Sequence, residues 1–142
     1  MSKYGVLTKY IPMIEEYNFG DWVIDRESDG TLEHPIQMPF VDYSEMVNNF
    51  IEDVYTFEGS NKDMELTRYG DILKNNGIER DIESMKNAGV SSLDAQCVLA
   101  LIMGAVRAER FCDGALLDFF KSGSVLKWLE RLKAIESGKE KT

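Results

Sequence analysis

The sequence predicts an α+β fold: a mostly helical single domain packed around a buried central helix, with a small β-hairpin in the N-terminal third. Three observations carry that expectation. Apolar residues recur at three- and four-residue spacing along most of the chain, the mark of amphipathic helices. From Ser91 to Val106 they cover nearly the whole circumference, and a helix that is apolar all round is a buried one. Only between Asp21 and Phe40 does the pattern change to strand formers punctuated by turn residues.

Met1 to Asn18 reads as a first helix, because Val6, Leu7, Tyr10, Ile11, Ile14 and Tyr17 form one stripe. Pro12 lacks the N–H that a helix interior uses, so the helix starts near it or kinks there. Asn18-Phe19-Gly20 supplies a stop, with Gly20 expected as a left-handed cap. Trp22-Val23-Ile24 begins a strand, and Ser28-Asp29-Gly30-Thr31 carries the Asp-Gly signature of a tight hairpin turn. Ile36, Met38 and Phe40 alternate on the returning arm. Pro35 and Pro39 cannot donate ladder hydrogen bonds, which makes that arm an edge strand or partly irregular. A two-stranded hairpin is marginal in water, so helices must cover one of its faces.

Asp42-Tyr43-Ser44-Glu45 reads as a helix start. The helix carries Met46, Val47, Phe50, Ile51, Val54 and Tyr55 on one side and stops at Gly59-Ser60-Asn61. A second helix is expected from Asn61 or Asp63 through Met64, Leu66, Tyr69, Ile72 and Leu73, closed by Asn75-Asn76-Gly77. Residues 78–87 read as a weak helix or an irregular connection. The central helix opens at Ser91 or Ser92, where Ser91 and Asp94 have the spacing of a capping box. Its small residues Ala100, Gly104, Ala105 and Ala108 would let neighbours approach closely. A short helix, Ala115 to Lys121, is expected to be capped by Gly123. Ser124 then starts a last helix with Val125, Leu126, Trp128, Leu129, Leu132 and Ile135 on its apolar side. The domain is expected to span residues 1–136, followed by a frayed, charged tail at 137–142.

A chain of 142 residues supports one ordinary core and is short for two. Its 44% hydrophobic and 11% aromatic content suits a packed protein rather than a disordered one. The net charge of −9, from 25 acidic and 16 basic residues, disfavours nonspecific binding to nucleic acid or anionic membrane. No secretory leader is legible, and the longest apolar run, Val98 to Val106, is roughly half the ~20 residues a membrane span needs. A cytoplasmic location is expected. Cys97 and Cys112 are too distant along a helix for a disulfide and form no CxxC pair, so both are expected as buried free thiols.

The chemistry-bearing stretch is Arg107 to Gly114, an abrupt polar knot at the end of the apolar run. A helix places Arg107 and Arg110 on one face. Asp113 falls beside Arg110 and Glu109 if the helix continues, or caps the next helix if it breaks at Asp113-Gly114. On a structural reading the arginines pair with Glu109, Asp113 or distant carboxylates where the buried helix surfaces, because an unpaired buried charge is costly. On a functional reading the pair grips a carboxylate or phosphate through bidentate hydrogen bonds. A third reading gives Glu109 or Asp113 an acid/base role. His34 stands without other candidate groups near it and reads as a surface residue. Asp25, Glu27, Asp29 and Glu33 lack the spacing of an EF-hand loop and read as a solvated acidic hairpin. GxGxxG, Walker, HExxH and GxSxG motifs are absent, and neither metal nor cofactor is expected.

The run VRAERFCDG from Val106 to Gly114 resembles the C-terminal "R-x-E-R-F-x-x-G" pattern of an uncharacterised family of small bacterial domains. It is followed by Lys121-Ser122-Gly123 and by Leu126-Lys127-Trp128-Leu129, which is similar to that family's "G … L-x-x-L". Phe19-Gly20-Asp21-Trp22 is similar to its "F-G-x-W". The resemblance implies no known activity. It does direct attention to Arg107, Glu109, Arg110 and Asp113, where the matching polar residues lie.

The function expected is therefore a non-enzymatic intracellular module that binds a protein partner or a small anionic ligand, as a monomer or a homodimer. One alternative is an enzyme with Glu109 or Asp113 as acid/base and the arginines holding an anionic substrate. Another, resting on the charge alone, is an acidic antagonist from a mobile element.

Overall fold

The computed structural model describes residues 4–16, 19–23, 40–79, 81–110, 112 and 114–139. The chain is mostly helical, and among the described residues most of the buried apolar side chains cluster with those of the central helix.

The first amphipathic stretch is divided just ahead of Pro12, into α1 (Gly5–Thr8) and α2 (Ile11–Glu16). Leu7, Tyr10 and Ile14 of the expected stripe are buried, Val6 and Ile11 are half-buried against the core, Tyr4 joins them, and Tyr17 lies outside the described residues. Gly20 is not a helix cap. It opens strand β1 (Gly20–Val23), which pairs antiparallel with β2 (Phe40–Tyr43) in the register Gly20 to Tyr43 and Val23 to Phe40. At φ +146° a Cβ on residue 20 would lie 2.5 Å from the Asp42 carbonyl oxygen and 2.8 Å from the Tyr43 Cα. Glycine is required there by the close approach of the facing strand. The turn expected at Ser28–Thr31 and the arm around Ile36 and Met38 lie outside the described residues. Asp42 and Tyr43, expected to start a helix, belong instead to β2.

Helix α3 (Glu45–Ser60) follows at once, with Ser44 as N-cap and its Oγ accepting from the Val47 N–H at 3.4 Å. Val47, Phe50, Val54 and Phe57 are its buried face. The next segment is not the continuous helix that its apolar spacing suggested. Two 3₁₀ turns, Lys62–Met64 and Leu66–Arg68, are separated by Glu65 in the left-handed conformation (φ 53°), and α4 (Tyr69–Asn75) comes after them. Residues 82–87 form a defined short helix, α5 (Ile82–Asn87), because Asp81 caps it by accepting from the Ser84 N–H at 2.8 Å.

The central helix α6 (Ala95–Ala108) begins later than Ser91. Asp94 is its N-cap, accepting from the Cys97 N–H at 2.9 Å, so Asp94 fills the cap position and not the third position of a capping box. Every residue from Cys97 to Val106 is buried. Helix α6 packs against α4, α8 (Ser124–Lys139) and α7 (Ala115–Lys121), and touches α3. At Gly104 an added Cβ would meet the Met85 methyl at 2.7 Å and the Tyr69 ring at 3.2 Å, so the missing side chain makes room for α5 and α4. Helix α8 runs to Lys139, and residues 140–142 of the expected tail lie outside the described residues. Among the described residues no helix is long and apolar enough to cross a membrane.

Candidate functional site

The polar knot is a helix end, a turn and a helix start. Helix α6 stops at Ala108 with Glu109 as its C-cap, and Arg110 lies in the turn that follows. Gly114, at φ 90°, is the N-cap of α7. Glycine adopts that backbone without strain, but it has no side chain with which to cap the helix. The cap comes from elsewhere.

Glu109 supplies it. Its carboxylate accepts from the Gly114 N–H at 3.1 Å through both oxygens and from the Leu116 N–H at 3.0 Å through Oε1. The Tyr43 hydroxyl of β2 donates to the same Oε1 at 2.5 Å and accepts from the Leu117 N–H at 3.0 Å. The Ala115 N–H donates to the Cys112 carbonyl at 3.0 Å. Every N–H from Gly114 to Leu117 therefore has an acceptor, as a helix start requires. A carboxylate at that end also meets the positive pole of the helix dipole. In the partly buried setting of Glu109 and Tyr43, hydrogen bonds to a charged group contribute about 1.5–3 kcal/mol each.

The arginines are placed quite differently. Arg107 is half-buried in the last turn of α6, its guanidinium carbon 6.0 Å from the centre of the Tyr69 ring. Tyr69 reaches that position because Gly104, one turn earlier, leaves space for the ring. Arg110 is exposed, with its guanidinium carbon 5.8 Å from the Tyr55 ring of α3. Both contacts are within the range of cation–π attraction. Among the described residues neither arginine makes an ion pair, and the buried Arg107 Nε has no hydrogen-bond acceptor. The pairing of the arginines with Glu109 that a structural reading expected is absent, because the start of α7 and Tyr43 take that carboxylate. Asp113 lies outside the described residues, as do His34 and the acidic group around it.

Thus three of the four expected site residues, Arg107, Glu109 and Arg110, lie together where α6 ends, with divided roles. Tyr43, Tyr55 and Tyr69 were not anticipated as their partners. Tyr43 carries no local signal, since its hydroxyl meets a residue 66 positions away. The cysteines also separate: Cys97 is buried, whereas Cys112 is exposed, contrary to the expectation that both would be buried. Cys97 lies deep in an apolar helix, and Cys112 lies in the turn.

A second polar group joins the α1–α2 segment to α3. Asp53 of α3 accepts from the Tyr10 hydroxyl at 2.5 Å and pairs with Lys9 Nζ at 3.1 Å. Burial, together with the hydrogen bond to Asp53, holds the Tyr10 hydroxyl well above the usual phenol range. A cleft of about 590 Å³ beside it is lined by Lys9, Tyr10, Met13, Ser44, Met46 and Asn49, among others. Among the described residues no three His, Cys, Asp or Glu side chains converge to hold a metal ion.

The chain belongs to a family of unknown function (DUF6508), whose model matches residues 2–138. Neither the curated proteins nor the solved structures contain a match to it.

Proposed function

We propose that this member of the family is a non-enzymatic binding module, one domain over residues 1–136, that recognises a carboxylate or phosphate group with Arg107 and Arg110. The anion belongs to a small ligand or to a protein partner. The observation that carries the reading is the contrast between neighbours: the Glu109 carboxylate accepts from three donors, while the guanidinium carbons of the flanking Arg107 and Arg110 lie 6.0 and 5.8 Å from tyrosine ring centres and, among the described residues, neither arginine makes an ion pair. A guanidinium held near a ring face can keep its terminal donors open to a ligand, and the ring limits the rotamers that a ligand would otherwise have to order.

The enzyme alternative is weaker, because both Glu109 oxygens already accept hydrogen bonds and would have to leave them to handle a proton. The acidic-antagonist alternative has no support beyond the net charge of −9.

Calorimetric titration with pyrophosphate, inorganic phosphate and citrate at low salt tests the proposal. At least one anion is expected to bind. Arg107→Ala and Arg110→Ala should each weaken it about tenfold or more, the loss of one charge-assisted hydrogen bond, with the melting temperature nearly preserved. Absence of binding by any of the three, or binding that survives both substitutions, would refute it. If both variants unfold, the arginines are structural and the proposal falls.

A further inference from the structure

We propose that the Tyr43 hydroxyl acts as a positioning group that keeps the Glu109 carboxylate sequestered on the start of α7, so that Glu109 does not neutralise Arg107 and Arg110. The inference deepens the anion-binding reading and rests on it for the ligand, but the sequestration has its own readout.

Glu109 lies between the two arginines in sequence, and a carboxylate is the natural partner of a guanidinium. Such a pairing would occupy the donors a ligand needs. The turn avoids it by giving each Glu109 oxygen other donors: Gly114 N–H for both, and Leu116 N–H and Tyr43 O–H for Oε1. Of these, the Tyr43 bond is the shortest at 2.5 Å and the only one that comes from outside the α6–α7 segment. Tyr43 itself is held by the ladder of β1 and β2, whose register places it opposite Gly20. It also accepts from the Leu117 N–H at 3.0 Å, so one hydroxyl joins the strand pair, the end of α6 and the start of α7. Removing it deletes a donor to Glu109 and an acceptor for Leu117 together. Oε1 then keeps the Gly114 and Leu116 N–H donors alone, and the guanidiniums that flank Glu109 in the chain compete with them for it.

The experiment uses the full chain in four forms: wild type, Tyr43→Phe, Tyr43→Phe with Glu109→Gln, and Tyr10→Phe. The last removes a hydroxyl–carboxylate hydrogen bond of the same length, to Asp53 of α3, which involves no residue of the turn. Pyrophosphate affinity and the Nε–H NMR signals of Arg107 and Arg110 are measured in each. Tyr43→Phe should weaken pyrophosphate roughly tenfold, as expected where one hydrogen bond to a charged group decides the competition. It should also shift at least one arginine Nε–H signal in the absence of ligand. Adding Glu109→Gln removes the competing charge and should restore affinity to within about twofold, whereas a merely structural defect would deepen. Tyr10→Phe should leave both readouts unchanged. Arginine signals and affinity that stay at wild-type values in Tyr43→Phe would overturn the positioning role while leaving the binding function intact. If wild type binds no pyrophosphate, the binding function is what fails, and the arginine signals alone then decide whether Tyr43 sequesters Glu109. Failure of Glu109→Gln to rescue would reduce Tyr43 to a helix cap.

Discussion

Glu109 shows how much one side chain can be asked to do when a helix begins with glycine. Its oxygens satisfy Gly114 and Leu116, and it holds the Tyr43 hydroxyl. Glu109→Ala should therefore destabilise the protein by about 2–3 kcal/mol, since it leaves half-buried donors unpaired, while Glu109→Gln should lose less. Urea unfolding midpoints of the two variants check the order. Gly104 works through what it lacks. A valine there would push into the Met85 methyl and the Tyr69 ring, and overpacking of that kind costs about 1–3 kcal/mol. The same change should turn the Tyr69 ring away from Arg107, seen as a shift of the Arg107 Nε–H signal. The glycine was visible in the sequence as a small residue in an apolar helix. The ring that fills its place was not, because Tyr69 arrives from another element.

At the scale of elements, the helix starts show where local chemistry suffices. Ser44, Asp81 and Asp94 each cap by accepting an N–H three residues on. Asp94→Ala should lower stability by about 1 kcal/mol, measured by chemical denaturation. Asp81 offers a pH test. The Ser84 N–H, and then the Ser84 hydroxyl, hold its carboxyl below the ordinary value of 3.8. A depressed carboxyl contributes stability that is present above its ordinary range and lost as the pH falls. The Ser84 amide signal should accordingly move as the pH drops below about 4, and should stay fixed in Asp81→Asn, which caps without titrating. Elements also join through side chains on backbone. Arg131 donates from Nε and an NH2 group to the Leu93 carbonyl at 3.1 and 2.9 Å, and Lys127 reaches the carbonyls of Lys86 and Ala88. These tie α8 to the end of α5 and to the segment between α5 and α6, and no periodicity in the sequence announces them.

Across the molecule, the burial of α6 has a chemical consequence. Burial, with the Asp94 charge second, pushes the Cys97 thiol up to about 11, whereas Cys112 is exposed. A thiolate-directed aromatic disulfide reagent should modify one thiol per folded chain quickly and the second only as the helix opens, at a rate that climbs with urea. Two thiols reacting at equal rates in native buffer would mean that α6 is not the core.

The central helix, the faces of α1 to α3 and of α8, and the location of the polar turn were all legible from spacing, because helical periodicity and burial are written into consecutive residues. The left-handed Glu65 that splits the Lys62–Arg68 region was not, since nothing in its neighbours demands a break. Nor was the role of Gly20, which is dictated by a carbonyl 22 positions further on. The same limit applies to the polar turn. Sequence brought Arg107, Glu109 and Arg110 together and could say that a carboxylate there would find donors. Which donors it found was decided by β2 delivering a tyrosine hydroxyl to the start of α7, a contact between segments far apart in the chain. A charged side chain chooses among partners by distance in space, and that distance exists only after the chain has folded.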